Sequence, residues 1–171
     1  MIDDAKFEAF VRAHSADLIR TAFMFTGSTH AAEELVQDTL TSLYPEWTRV
    51  AAADVPLAYV RRCLSNRFIS QRRRPAAHDL ALWEMPDGWD GRDLGDEVAA
   101  RRTVWTLLGS LPERQRVAIV LRQFLDLSEA EIAIALECRP ASVRSLISRG
   151  MSAMRDAYAR SEARSEKGLT G

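Results

Sequence analysis

Residues 111–155, LPERQRVAIVLRQFLDLSEAEIAIALECRPASVRSLISRGMSAMR, decide the fold. Leu111-Pro112-Glu113 reads as a helix start: proline at the first helical position gives up an amide that has no intrahelical partner, and glutamate suits the positive N-terminal end. Val117, Val120, Leu121 and Phe124 follow at helical spacing. Ser128-Glu129-Ala130-Glu131 matches the capping box, in which serine and the glutamate three residues on satisfy each other's backbone amides. A short helix is therefore expected from about Glu129 to Leu136, burying Ile132, Ala135 and Leu136. After a break at Glu137-Cys138-Arg139, Pro140 restarts a helix whose Val143, Ile147, Met151, Met154 and Tyr158 fall on one stripe. Two helices, a tight turn and a longer helix at this spacing form a helix-turn-helix pattern.

On a wheel of roughly 100° per residue, Ser142, Ser145 and Arg149 point away from that stripe, with Arg144 and Ser148 on its flanks. A helix entering the major groove needs short side chains at close approach and arginines that reach guanine edges or phosphates. From Arg139 to Arg160 the chain has five arginines and one acid, Asp156. That balance favours duplex DNA over an ordinary solvated face.

The chain has 171 residues, 47% hydrophobic and 27% charged, and a formal net charge of −1. The distribution says more than the sum. Between Arg61 and Arg74 stand six arginines and no acid, whereas between Asp79 and Glu97 stand seven acids and only Arg92. Cys63 and Cys138 are far apart, and neither they nor His14, His30 and His78 show metal-ligand spacing, so free thiols, no metal and no cofactor are expected. No apolar run reaches membrane-spanning length and the N-terminus lacks a basic signal-peptide opening, which fits a soluble cytoplasmic protein. No nucleophile-base pairing or glycine-rich phosphate loop is present, so catalysis is not expected.

Toward the N-terminus, Phe7, Phe10, Val11, His14, Leu18, Ile19, Ala22 and Phe23 make an amphipathic helical segment with a potential break near Ser15, ending at Gly27. Ser28 or Thr29 caps a second helix burying Leu35, Val36, Leu40 and Leu43, which Trp47 is expected to close. After the break 51–55, Pro56 opens a third helix with Leu57, Val60, Leu64 and Phe68 inside, ending at Arg72-Arg73-Arg74-Pro75. The expected fold is all-α: two small helical domains, 1–75 and 98–160, joined by a flexible acidic linker over 76–97 and followed by a disordered tail over 161–171.

The run Ala32-Glu33-Glu34-Leu35-Val36-Gln37-Asp38-Thr39-Leu40, the run Ala58-Tyr59-Val60-Arg61-Arg62 through Asn66 to Arg74, and the Leu111-Pro112 helix-turn-helix resemble an extracytoplasmic-function (ECF) RNA polymerase sigma factor of the sigma-70 family. Three motifs in the right order cover nearly the whole chain apart from the linker and tail.

The resemblance implies a role for each part. Glu34, Gln37, Asp38 and Thr41 would form the edge that docks on the clamp helices of the polymerase largest subunit, and the C-terminal domain would meet the flap of the second-largest subunit. Tyr59, Arg62, Asn66, Arg67, Arg72 and Arg73, beside the small-residue loop 51–55, would read and melt the minus-ten element. Unpaired bases are held by aromatic and planar cationic faces. Arg139, Ser142, Arg144, Ser145, Ser148 and Arg149 would read the minus-thirty-five duplex. Implied partners are core RNA polymerase, promoter DNA and an anti-sigma factor, with no membrane insertion.

Four residues depart from the family pattern: Glu137 stands where the turn usually has glycine, Arg139 where a small cap is common, Leu146 where a polar residue is frequent, and Ser70 where the third helix often has an acid. Leu146 would either pack or touch a thymine methyl. The alternative to a sigma factor is an autonomous helix-turn-helix regulator, binding operator DNA without polymerase.

Overall fold

The computed structural model describes residues 4–71 and 103–168, the last four by backbone only. Every regular element among them is a helix. The N-terminal half comprises α1 (Asp4–Thr26), α2 (Thr29–Leu43), a 3-10 turn (Tyr44–Glu46), α3 (Trp47–Ala51) and α4 (Pro56–Gln71). The C-terminal half comprises α5 over residues 103–109, α6 (Glu113–Gln123), α7 (Glu129–Ala135) and α8 (Pro140–Gly168).

Local chemistry sets these boundaries. Gly27 takes φ 72 and donates its amide to the Phe23 carbonyl, turning the chain out of α1. Ser28 caps α2, its hydroxyl accepting from the Ala31 amide. Helix α1 runs unbroken through Ser15, because Phe7, Phe10, Leu18 and Phe23 lie along one packed side. The short α3 was not legible in the sequence; it exists because Trp47 is buried, its ring meeting Phe7 at 5.0 Å and Phe10 at 4.8 Å.

In the C-terminal half the capping box at the start of α7 is complete: Ser128 Oγ accepts from the Glu131 amide at 3.2 Å, and the Glu131 carboxylate accepts from the Ser128 amide at 2.7 Å. The hydroxyl and amide of Ser128 hold the Glu131 carboxyl below the usual carboxylate range. The turn into α8 puts Glu137 at φ 50, the left-handed conformation for which glycine is the usual residue. Leu146 is half-buried and packs against the core. Helix α8 continues through Gly168, so a disordered tail after Arg160 is corrected to helix over 161–168. Continuing a formed helix costs far less than nucleating one.

The two halves pack against each other and share one hydrophobic cluster. Helix α1 meets α6, and α4 meets both α6 and α7. Phe23 and Trp105 meet edge to face at 5.7 Å across this junction. The acidic segment expected over 76–97 lies outside the described residues.

Candidate nucleic-acid interface

Helix α8 presents the expected row on its free side. Arg139, Ser142, Arg144, Ser148 and Arg149 are exposed and Ser145 is half-buried, while Val143 and Gly150 face the core. The carbonyl of Arg139 accepts from the Ser142 and Val143 amides and so begins the helix. Arg144 Nε lies 3.5 Å from Glu129 Oε2, so the first residue of α7 steadies one arginine of the row. The pair is solvent-exposed, which makes it an orienting contact rather than a source of stability. Arg114 of α6 donates to the Leu136 carbonyl at 3.1 Å and ties the end of α7 to the scaffold.

On α2, Glu34, Gln37, Asp38 and Thr41 are all exposed, opposite the buried Leu35, Val36, Thr39 and Leu40. Glu34 Oε1 is 3.4 Å from His30 Nε2. Asp38 is tied to α4: it accepts from Gln71 Nε2 at 3.4 Å and lies 3.7 Å from Arg67 Nη1. The geometry therefore joins Arg67, expected on the minus-ten face, to Asp38, expected on the polymerase face.

Tyr59 and Arg62, three residues apart on α4, stack directly, with the Arg62 guanidinium 4.7 Å from the ring centroid. They line a cavity of about 260 Å³ together with Ala53, Asp54, Val55, Ala58 and Arg61. Its opposite wall is Leu127, Glu131, Ile134 and Ala135, so α7 of the C-terminal half faces the small-residue loop. Arg61 is half-buried, and burial pulls its guanidinium below the usual value while Asp17 pushes it back up. Asn66 is half-buried on α4, about two helical turns beyond Tyr59. Arg72 and Arg73 lie outside the described residues.

One contributor was missed. Arg49, on α3, donates from Nη2 to the Tyr59 hydroxyl at 3.0 Å and pairs with Glu46 through the same nitrogen. Only a tertiary contact between α3 and α4 reveals it; its local sequence, Glu46-Trp47-Thr48-Arg49, carries no motif.

Cys63 and Cys138 are half-buried free thiols, and burial pushes the Cys63 thiol up. Among the described residues no group of His, Cys, Asp and Glu could hold a metal, and no helix is long and apolar enough to cross a membrane.

Residues 10–78 match the model of Sigma-70 region 2 and residues 101–154 that of Sigma-70 region 4. The chain is 27% identical over 151 residues to the RNA polymerase sigma-E factor of Streptomyces avermitilis, covering 88% of this chain and 84% of that one. It is 29% identical over 160 residues to the ECF RNA polymerase sigma factor SigE of Mycolicibacterium smegmatis, covering 90% of this chain and 62% of that one. In fold it is similar to the sigma factor RpoE of Bartonella quintana, solved with the anti-sigma factor NepR, with TM-score 0.69 at 21% identity over 88% of this chain and 95% of that one. It is also similar to CnrH, solved with the cytosolic domain of CnrY, with TM-score 0.61 at 20% identity over 92% and 90%. Matching both regions removes the reason to prefer an autonomous regulator. With both regions matched in order over well more than half its length, the chain belongs to the sigma-70 family as an ECF-type sigma factor, directing promoter-specific initiation by core RNA polymerase.

Proposed function

We propose that the two halves divide the work of this sigma factor, residues 1–75 docking on polymerase and opening the minus-ten element and residues 98–160 reading the minus-thirty-five duplex. Glu34, Gln37, Asp38 and Thr41 supply the polar edge for the clamp helices of the largest subunit, and the C-terminal half meets the flap of the second-largest. Tyr59, Arg62, Asn66 and Arg67, with Arg72 and Arg73, receive the unpaired strand. Arg139, Ser142, Arg144, Ser145, Ser148 and Arg149 enter the major groove. The stacked Tyr59–Arg62 pair beside the small-residue loop carries this reading, because an aromatic face and a planar cation are what an unstacked base requires. The protein contributes recognition and strand separation, phosphoryl transfer belongs to the polymerase, and the site of action is the cytoplasm. An anti-sigma factor is a further partner, because the similarly folded sigma factor RpoE of Bartonella quintana is solved with the anti-sigma factor NepR.

Reading both elements requires the halves to part. Elements named for positions about 25 base pairs apart are separated by roughly 85 Å at about 3.4 Å per base pair, whereas α4 and α7 are in contact here. The 31 residues between Gln71 and Thr103 can span at most about 100 Å when extended, enough to permit that separation.

Run-off transcription with core polymerase on genomic fragments, followed by start-site mapping, tests the assignment. Starts that require the protein and share two spaced upstream elements are expected. Operator binding by the protein alone, with no initiation, would overturn it.

A further inference from the structure

We infer that Arg49 is a positioning residue for minus-ten reading, holding Tyr59 in the orientation that captures an unstacked base; the inference rests on the assignment of Tyr59 made above. Three observations carry it. Arg49 Nη2 donates to the Tyr59 hydroxyl at 3.0 Å, from a different helix and across the small-residue loop. Glu46, three residues earlier, pairs with the same nitrogen and fixes where Arg49 points. Arg62 covers the Tyr59 ring at 4.7 Å and the Arg49 guanidinium carbon lies 6.0 Å from the same centroid, so the phenol is held at its ring and its hydroxyl.

A tyrosine on a half-buried helix face samples several rotamers, and ordering it during base capture adds an entropic cost to the melting step. A ring ordered beforehand removes that cost from the step that must compete with base stacking. Chemistry adds a second effect. Because the Tyr59 oxygen accepts from Arg49, its own hydrogen remains available to donate. The group it suits is an acceptor on an extruded base, a ring nitrogen or a carbonyl oxygen. Arg49 thus acts through Tyr59 rather than as a phosphate contact.

The test uses holoenzyme reconstituted from core polymerase and the full chain, on a promoter mapped with the wild-type protein, with single-base changes across the minus-ten element. Arg49→Met and Tyr59→Phe should each lower open-complex formation about threefold to tenfold and flatten base discrimination at the same minus-ten position. Discrimination at the minus-thirty-five element should be unchanged, and the double variant should be no worse than either single one. Multiplicative effects in the double variant would overturn the inference. So would unchanged discrimination in Arg49→Met with a shallower salt dependence, the signature of a phosphate contact. A defect in Arg49→Met that follows a lowered melting temperature or weaker core binding would also overturn it, assigning the residue to folding. Failure of the wild-type chain to initiate would instead sink the sigma-factor assignment of these residues, a result distinct from all of these.

Discussion

Arg116 Nη1 donates to the carbonyl of Phe25 at 2.7 Å, joining α6 to the end of α1 across 91 residues of chain. Within its own half, Nε donates to the carbonyl of Leu108, and Nη2 to those of Gly109 and Leu111. Arg116 is only 4% exposed, and the Phe68 ring lies 5.9 Å from its guanidinium carbon. A buried cation surrounded by carbonyl oxygens is satisfied only when every donor is matched, so the loop before α6 and the junction between the halves are organised by one side chain.

Arg116→Met keeps the apolar stem and removes all the donors. It leaves four carbonyls without this partner and should lower stability by about 3 kcal/mol, the scale for losing charge-assisted hydrogen bonds in a buried site. Urea unfolding checks the magnitude. Arg116→Lys should recover less than half of the loss, because one ammonium cannot reproduce the spread of the guanidinium.

Glu137 holds a left-handed backbone at φ 50 in the turn between α7 and α8. An L-residue there costs roughly 1–2 kcal/mol, and glycine's greater freedom in the unfolded chain returns about 0.5–1 of it. Glu137→Gly should therefore stabilise the protein by up to roughly 1.5 kcal/mol by these same terms. A raised thermal midpoint with promoter specificity unchanged is the expected result.

Gly150 is the point where α8 crosses α6. A Cβ added there would lie 2.6 Å from Ile119 Cδ1 and 3.4 Å from Gln115 Cβ. Alanine gains roughly 1 kcal/mol of helix propensity, but crowding the buried Ile119 costs about 1–3 kcal/mol. Gly150→Ala should be net destabilising. Adding Ile119→Val, which deletes the clashing methyl, should restore most of the loss in thermal unfolding, since the two changes meet at one atom.

The helix-turn-helix was legible because its signals are local: Pro112, the Ser128–Glu131 box and Pro140 each fix a boundary within four residues. The exposed polar edge of α2 was legible for the same reason, following from helical periodicity alone. What could not be read depends on contacts between distant segments. Trp47 nucleates α3 only because Phe7 and Phe10 stand against it, and Arg49 gains a role only when α3 meets Tyr59. The pairing of Asp38 with Arg67 likewise joins two faces that the sequence treats as separate. Nor does any sequence pattern announce that the halves share a core; Phe23 and Trp105 are both ordinary inward residues until they touch.

Arg149 is exposed on α8, about two helical turns beyond Ser142. If it pairs with a guanine edge, Arg149→Ala should cost roughly 1–3 kcal/mol at one base pair and relax specificity there. Arg144 is steadied by Glu129, so Glu129→Gln should change minus-thirty-five preference while leaving minus-ten preference alone. Competition binding by holoenzyme to a library of upstream elements separates the two, and a uniform weakening across all sequences would mark either residue as a phosphate contact.

Val55 and Ile134 line the same cavity from opposite halves and are 59% and 63% exposed. If promoter reading requires the halves to part, joining these positions must block it. Cysteines introduced at both sites, in a background with Cys63 and Cys138 replaced by serine, can be bridged by a short flexible cross-linker. The cross-linked protein should lose run-off transcription by at least tenfold, and a cleavable linker should restore it on cleavage. A linker long enough to span roughly 85 Å, the distance set by about 25 base pairs of duplex, should leave activity intact. Full activity with the short bridge would mean that both elements are read with α4 and α7 in contact, which the length of the duplex between them forbids for one undistorted promoter.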